Sequence, residues 1–437
     1  MELCLILAAA LAATPALALD LKEIGADLAV TPAHIERLKT WESAKVNGAR
    51  TAGEIGDPYG HPEYRRIGNF LVINRVDTAL VYDSNVLAAP VAARSDLTWV
   101  TTPLLVVRSD LPRHILDLQL SGTFARQLRT TSLDHDDASA RIAAIFHIDH
   151  AHILSLKSGI ALTHEDRLAV GAALNATSLT PILHSFAAAG LKRDAGRLWA
   201  SSGVSFDAWQ YDDVRNAAGA PITQGHRDTS EAAVDFKLGY RFSPGFELIG
   251  RAKGLRRQNT GDVNVDTTAW GAEAIAGIRL ELGPLFRLAF DGGYGIRDYD
   301  RAGVATAGIG LIEGRLSWLV TPSLTTHITI SRAFDDGVGT ATAGSGSGGR
   351  VQQQAGARLD YWLARNLMFT LGADYRETAF QDGGRVDQRL TGQARLKRHI
   401  GPGLILSLGV EHLDQRSTDP AFDIKRSQIS AGARIRF

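Results

Sequence analysis

Cysteine is almost missing from this sequence: Cys4 is the only one in 437 residues. It lies inside an apolar leader, so the chain expected after cleavage carries no thiol. That excludes disulfides, thiolate metal sites and cysteine nucleophiles. Net charge is missing as well, with 47 basic residues against 47 acidic. Proteins that bind nucleic acid carry a basic surplus or stripe, so no nucleic-acid partner is expected. Nor does the chain contain a run of 18 apolar residues, which excludes a spanning helix.

The opening "MELCLILAAALAATPALALD" reads as a signal peptide over residues 1–18. Leu3 to Ala13 is a short apolar core, and Ala16-Leu17-Ala18 offers small residues for cleavage, although no Lys or Arg precedes the core. Cys4 sits too early to be a lipid-attachment site. Residues 19–67 are expected to form a periplasmic extension with one short helix. In it Thr31 is the N-cap, Pro32 the first helical residue, and Ile35, Leu38 and Trp41 share a face.

From Gly68 to Phe437 the grammar is different. Segments alternate apolar and polar residues, the period of strands whose two faces meet different solvents. Leu116, Leu118, Leu120 and Phe124 oppose Asp117, Gln119, Ser121 and Thr123. Val234, Phe236, Leu238, Tyr240 and Phe242 oppose Glu231, Asp235, Lys237 and Arg241. Tight turns such as "SPGF" (243–246), "TPS" (321–323) and "GPG" (401–403) alternate with long polar loops such as 214–228, 335–350 and 415–423. The pattern predicts an all-β protein: a transmembrane antiparallel up-and-down β-barrel of about eighteen strands, with short periplasmic turns and long extracellular loops. A soluble sandwich or propeller would need shorter strands and an apolar core, and charged residues recur on one face of nearly every segment here.

The final stretch "SAGARIRF" alternates in the same way. Ile429, Ala431, Ala433, Ile435 and Phe437 oppose Arg426, Gln428, Ser430, Arg434 and Arg436. This strand is expected to close the barrel against the first, with its apolar face in outer-membrane lipid. Phe437 is expected to act as the assembly signal read by the outer-membrane barrel-assembly machinery.

The inner face is rich in charges of both signs, which suits a wet path for a hydrophilic solute. Arg287, Asp291 and Arg297 share one strand face, and Arg358 is counted with the same lumen-lining set. Arg385, Asp387, Arg389, Gln393, Arg395 and Lys397 form the most basic face, beside Arg426, Arg434 and Arg436. This stripe could favour an anionic polymer; plain structural pairing is the alternative. Trp199, Trp209 and Trp362 fall on predicted inward faces, yet an interfacial girdle is the commoner home for tryptophan and is preferred here. Tyr82, Phe206, Tyr294 and Phe334 are assigned to the outer aromatic belt, and Phe70, Phe246 and Phe437 to the inner one.

No cofactor, metal or catalytic group is expected. Asp134, His135, Asp136 and Asp137 lack the glycine turn of a calcium loop. His147 and His150, read as strand neighbours, point opposite ways, as do His184 and Ser185. "GSGSGG" (344–349) lacks the strand and the Lys-Ser or Lys-Thr of a phosphate loop.

Two stretches resemble the beta-barrel porin type 2 family. In that family a Pro-x-Tyr segment leads into a Gly-x-Phe first strand, a Tyr-Asp-x-Asn-Val element ends it, and a Ser-Asp…Pro second strand follows. Here these are Pro62 and Tyr64, Gly68 and Phe70, Tyr82 to Val86, and Ser95, Asp96 and Pro103. Arg65-Arg66 replaces a frequent Asp-Pro pair. The resemblance implies a barrel of about eighteen strands that serves exopolysaccharide systems as an outer-membrane conduit. Its partners would be a polysaccharide substrate and a periplasmic polysaccharide-export protein. The alternative is a passive porin for uptake of small hydrophilic solutes; an adhesive barrel is a third possibility.

Overall fold

The computed structural model describes residues 64–437, apart from 170, 174, 262–267, 284, 301–305, 336–348, 381–383 and 402. The expected signal peptide, the helix of Ile35, Leu38 and Trp41, and most of the "GSGSGG" loop lie outside the described residues. Nineteen strands share one sheet, the first being the three-residue strand Arg65–Ile67, which folds back on Phe70–Val72. The other eighteen make the wall.

In chain order these are β1 Phe70–Asp83, β2 Asp96–Ser109, β3 His114–Gln127, β4 His135–His147, β5 His152–His164 and β6 Pro181–Ala195. Then come β7 Leu198–Tyr211, β8 Thr229–Ser243, β9 Phe246–Asn259, β10 Ala269–Leu282, β11 Phe286–Tyr299 and β12 Ala307–Thr321. The last six are β13 Leu324–Asp335, β14 Arg350–Ala364, β15 Leu367–Phe380, β16 Val386–Gly401, β17 Leu404–Ser417 and β18 Ile424–Arg436. Each pairs antiparallel with its neighbours in sequence. β18 then pairs with β1, from Arg75↔Arg436 to Asp83↔Gln428. Closure leaves no sheet edge, so the wall strands pair with one another without water, as hydrocarbon requires.

The outward face is apolar. Leu118, Leu120, Val234, Phe236, Leu390 and Leu408 are all exposed, a pattern that only lipid can solvate. Tyr82, Phe206 and Tyr294 are exposed in the same way, as are Phe70, Phe437, Trp99, Trp270 and Trp318. Phe334 departs from its outer-belt assignment. The Arg297 guanidinium lies 4.4 Å from its ring centre, and the ring packs with the buried Ile309, Leu311 and Val351. β13 pairs with β12 only as far as Arg332, and beyond that point its end turns Phe334 under Arg297.

Short turns lie on the rim that holds Phe70 and Arg436, and long loops on the other. Two of the two-residue reversals use left-handed glycine backbone, at Gly196 with φ 78° and Gly245 with φ 88°. One turn differs from expectation. "HIDHAH" does not continue a strand: β4 stops at His147 and β5 starts at His152. Asp149 Oδ1 accepts from the Ala151 N–H at 2.7 Å and the His152 N–H at 2.8 Å, so the aspartate builds the turn. Protonation of that carboxyl is pushed down to about 2, first by its bond to His152 and then by these two amides. Among the described residues no helix is long and apolar enough to cross a membrane; the crossing is made by strands.

Candidate solute path

Strand alternation turns many of the wall's charged residues inward, where pairs such as the following form. Arg279 and Asp291 pair at 2.7 Å between β10 and β11, and Arg297 reaches Glu273 at 2.7 Å. Arg287 shares that face of β11. Arg358 lies 3.1 Å from Asp360, which also accepts from Thr370 Oγ1 at 2.8 Å. At the long-loop rim Arg385 pairs with Asp387 at 2.5 Å and stacks on Phe422, 3.2 Å from the ring centre. Arg434 bonds Asp77 at 2.6 Å across the β1–β18 seam. Arg395, Lys397 and Arg434 line one cavity, with Gln393, Glu411 and Gln428. Much of the predicted basic stripe is thus brought together on β16 to β18, neutralised in part by carboxylates.

Three tryptophans sit elsewhere than the preferred girdle. Trp209 stacks inside the wall on His184, with centroids 4.9 Å apart and planes within 4°. His184 Nε2 lies 3.0 Å from Asp207 Oδ1, so this histidine is an orienting partner for the ring. Trp199 donates its indole N–H to Glu247, and Trp362 lies 5.8 Å from the buried His399 ring. An indole N–H needs an acceptor, and for Trp199 the inner wall provides the Glu247 carboxylate. The 134–137 cluster is also divided. Asp134 stays in its loop, whereas Asp136 pairs with Arg126 outside the wall and Asp137 with His164 at 2.8 Å.

The feature that sequence reading missed is the segment 165–180, between β5 and β6. Its residues, polar at both ends with Ala, Leu, Val and one Gly between, carry no alternation, so it resembles neither strand nor polar loop. In the structure it turns into the barrel. Glu165, Arg167, Leu168, Ala172, Ala173 and Ala176 are buried. Leu168 packs with Ala88, Leu413 and Ile424, residues of the β1–β2 loop, β17 and β18. Arg389 Nη2 on β16 donates to the Leu168 carbonyl at 2.8 Å, and Arg426 on β18 stands 4.0 Å from Asp166. A strut therefore crosses the long-loop mouth and ends on the basic stripe.

Its root is tied to the next long loop. Arg227 and Glu165 form a two-pronged pair at 2.5 and 2.8 Å, with side chains only 3% and 4% exposed. Arg227 also stacks over Tyr211 at 4.1 Å and donates to Gln224 at 3.0 Å. Burial works against the charge of Arg227, and the Glu165 carboxylate more than offsets it, so its proton is held above the ordinary range. Burial pushes the Asp166 carboxyl up, with Arg426 opposing. Among the described residues no group of metal-ligating side chains assembles.

A closed barrel with a lipid-facing apolar exterior and a charged interior defines a Gram-negative outer-membrane porin. Residues 57–437 match the family described as "Putative beta-barrel porin 2", and the chain belongs to that family. Among solved structures it is similar to OccK2 (OpdF) of Pseudomonas aeruginosa, solved in complex with glucuronate. The identity is 11%, the TM-score 0.48, and 86% of this chain and 100% of that one are covered. OpdK of the same organism gives 13% identity, a TM-score of 0.45, and coverage of 84% and 99%. A BenF-like porin from Pseudomonas fluorescens Pf-5 gives 11%, 0.45, and coverage of 84% and 99%. These scores add nothing to what the strand topology shows. No curated protein matches the sequence.

Proposed function

We propose that this porin passes small hydrophilic solutes, anions ahead of cations, and performs no catalysis. The carrying observation is the strut: Leu168 and Asp166 held against Arg389 and Arg426 divide the mouth of a barrel otherwise wide enough for a polymer. A polysaccharide chain would have to displace that packed segment, whereas a small solute can pass beside it. The arginines and lysine of β16 to β18 supply a positive field in a low-dielectric tube, which favours anions. The expected export conduit, with its periplasmic export partner, finds no support in the comparisons, and the strut weighs against it.

Planar-bilayer recordings under a salt gradient test the reading. The purified barrel should open spontaneously, with a reversal potential on the anion side that shifts toward zero in Arg395→Gln/Lys397→Gln. A permanently closed barrel, together with loss of surface polysaccharide in a deletion strain, would restore export.

A further inference from the structure

Below the strut, the inner wall of β16, β17, β18 and β1 is hollowed into a cavity of about 960 Å³, counted to its open mouth. Leu408, Val410 and Ile429 face lipid, so alternation turns Ser407, Gly409, Ser430 and Gly432 inward. These four small residues make the floor. Ser407 lies opposite Gly432, and Gly409 opposite Ser430, in the β17–β18 register. A Cβ at Gly409 would stand 2.7 Å from Ser430 Oγ, so glycine keeps the middle of the floor low. Each serine hydroxyl reaches only a carbonyl at 3.5 Å, Ser407 that of Gly432 and Ser430 that of Gly409. Bonds that long are weak, and both hydroxyls can turn to a solute.

The four sides of this floor differ in chemistry. On β16, Arg395 lies opposite Gly409 and Lys397 opposite Ser407, so two cations stand along one flank. On the other flank, Ala79 and Val81 of β1 lie opposite Gly432 and Ser430, with Val100 of β2 lining the same hollow. Toward the strut, Glu411 stands between Gln393 and Gln428. Toward the short-turn rim, Arg434 bonds Asp77 at 2.6 Å, which neutralises both.

This arrangement discriminates among anions. A bare anion gains from Arg395 and Lys397 but meets the Glu411 carboxylate with no proton to offer it. A hydroxylated anion donates to Glu411 and exchanges hydrogen bonds with the serines and glutamines, which can both donate and accept. Its C–H groups find the apolar flank. We propose that the cavity is a binding station for hydroxylated carboxylates of sugar-acid size. The carboxylate lies on Arg395 and Lys397, the hydroxyls over the two serines and at Glu411, and the C–H edge against Ala79 and Val81. The volume falls within the range of small-molecule pockets, about 300–1,000 Å³. The inference rests on the anion-passing reading and gives it a substrate class.

Interruption of the chloride current through the full-length barrel in planar bilayers tests the site with three probes. Galacturonate carries charge and hydroxyls, cyclohexanecarboxylate the charge alone, and galactose the hydroxyls alone. Galacturonate should interrupt the current at about tenfold lower concentration than either of the others. Ser407→Ala/Ser430→Ala adds no bulk and should bring galacturonate to the level of cyclohexanecarboxylate. Gly409→Leu fills the floor and should abolish the galacturonate effect. Ser205→Leu adds bulk on the opposite wall, where Val204 and Phe206 face lipid, and should leave it intact. Equal potency of the three probes in an anion-selective barrel overturns this inference and leaves the anion-passing reading standing. A cation-selective barrel overturns both. Galacturonate block unchanged in the serine double variant also overturns the inference, whether or not Gly409→Leu assembles.

Discussion

The Arg389 guanidinium donates to the Leu168 carbonyl at 2.8 Å, across 221 positions of sequence and across the mouth of the barrel. Arg389 also donates to Gln415 Oε1, at 2.6 Å through Nη2 and 2.9 Å through Nε, so its side chain is fixed from the wall side before it grips the strut. A hydrogen bond to a charged donor contributes about 1.5–3 kcal/mol. In Arg389→Ala the strut should lose that hold and sample undocked positions. Single-channel traces should show a larger and noisier open level, with weaker anion preference. An unchanged open level would mean that Leu168 is held by packing with Ala88, Leu413 and Ile424 alone.

Acidity should tighten the same contact. Burial pushes the docked Asp166 carboxyl above its ordinary value, so the docked strut takes up a proton more readily than an undocked one. Docking therefore gains as pH falls through the raised value, and that gain is lost as pH rises back through it. Recordings from pH 7 down to pH 4 should show longer low-conductance dwells. Asp166→Asn should flatten the response, and an identical pH profile in that variant would place the titration elsewhere.

The barrel could be read from the chain because its physics is local and repeated. Lipid outside and water inside stamp a period of two on every strand, as on Phe286 to Arg297 or Gln428 to Arg436, and short turns alternate with long loops. The inward placement of Trp199, Trp209 and Trp362 followed from the same alternation. The girdle preference replaced it with a general habit of tryptophan, which these three escape because Glu247, Asp207 with His184, and His399 stand beside them. The strut was illegible for the opposite reason. Leu168 answers to Ala88, Leu413 and Ile424, and Ala173 and Ala176 to Val214 and Ile222, all distant in sequence, so no period marks them. In "HIDHAH" the turn is made by one aspartate, without the Gly or Pro found in reversals such as "SPGF" and "GPG".

The Arg227–Glu165 pair should be the mechanical anchor of the long-loop side. Both ions are buried, so removing one leaves the other uncompensated, at about 3–5 kcal/mol. Arg227→Ala should leave the barrel folded and heat-modifiable, since no strand register depends on the pair. Protease added outside intact cells should then cut near residues 165–180, where the parent chain resists. Resistance equal to the parent's would show that the cluster of Ala173, Ala176, Val214 and Ile222 holds the two loops together unaided.

At the seam, Phe437 is 57% exposed on the lipid side, and its N–H reaches the Asn74 carbonyl at 3.2 Å. It sits on the apolar line of Ile429 and Ile435, at the rim where β18 meets β1. A carboxylate there would have to leave water for the lipid boundary, and near the interface that costs only about 0–1 kcal/mol. Stability alone therefore predicts a mild defect for Phe437→Asp. Recognition of the terminal aromatic by the assembly machinery predicts a severe one, with the protein left in the periplasm and degraded. Phe437→Tyr should assemble normally under either account. Fractionation at matched expression separates them: near-absence of Phe437→Asp from the outer membrane, with Phe437→Tyr at parental levels, is the expected result. Parental amounts of Phe437→Asp would leave Phe437 as an ordinary lipid-facing residue of the closing strand.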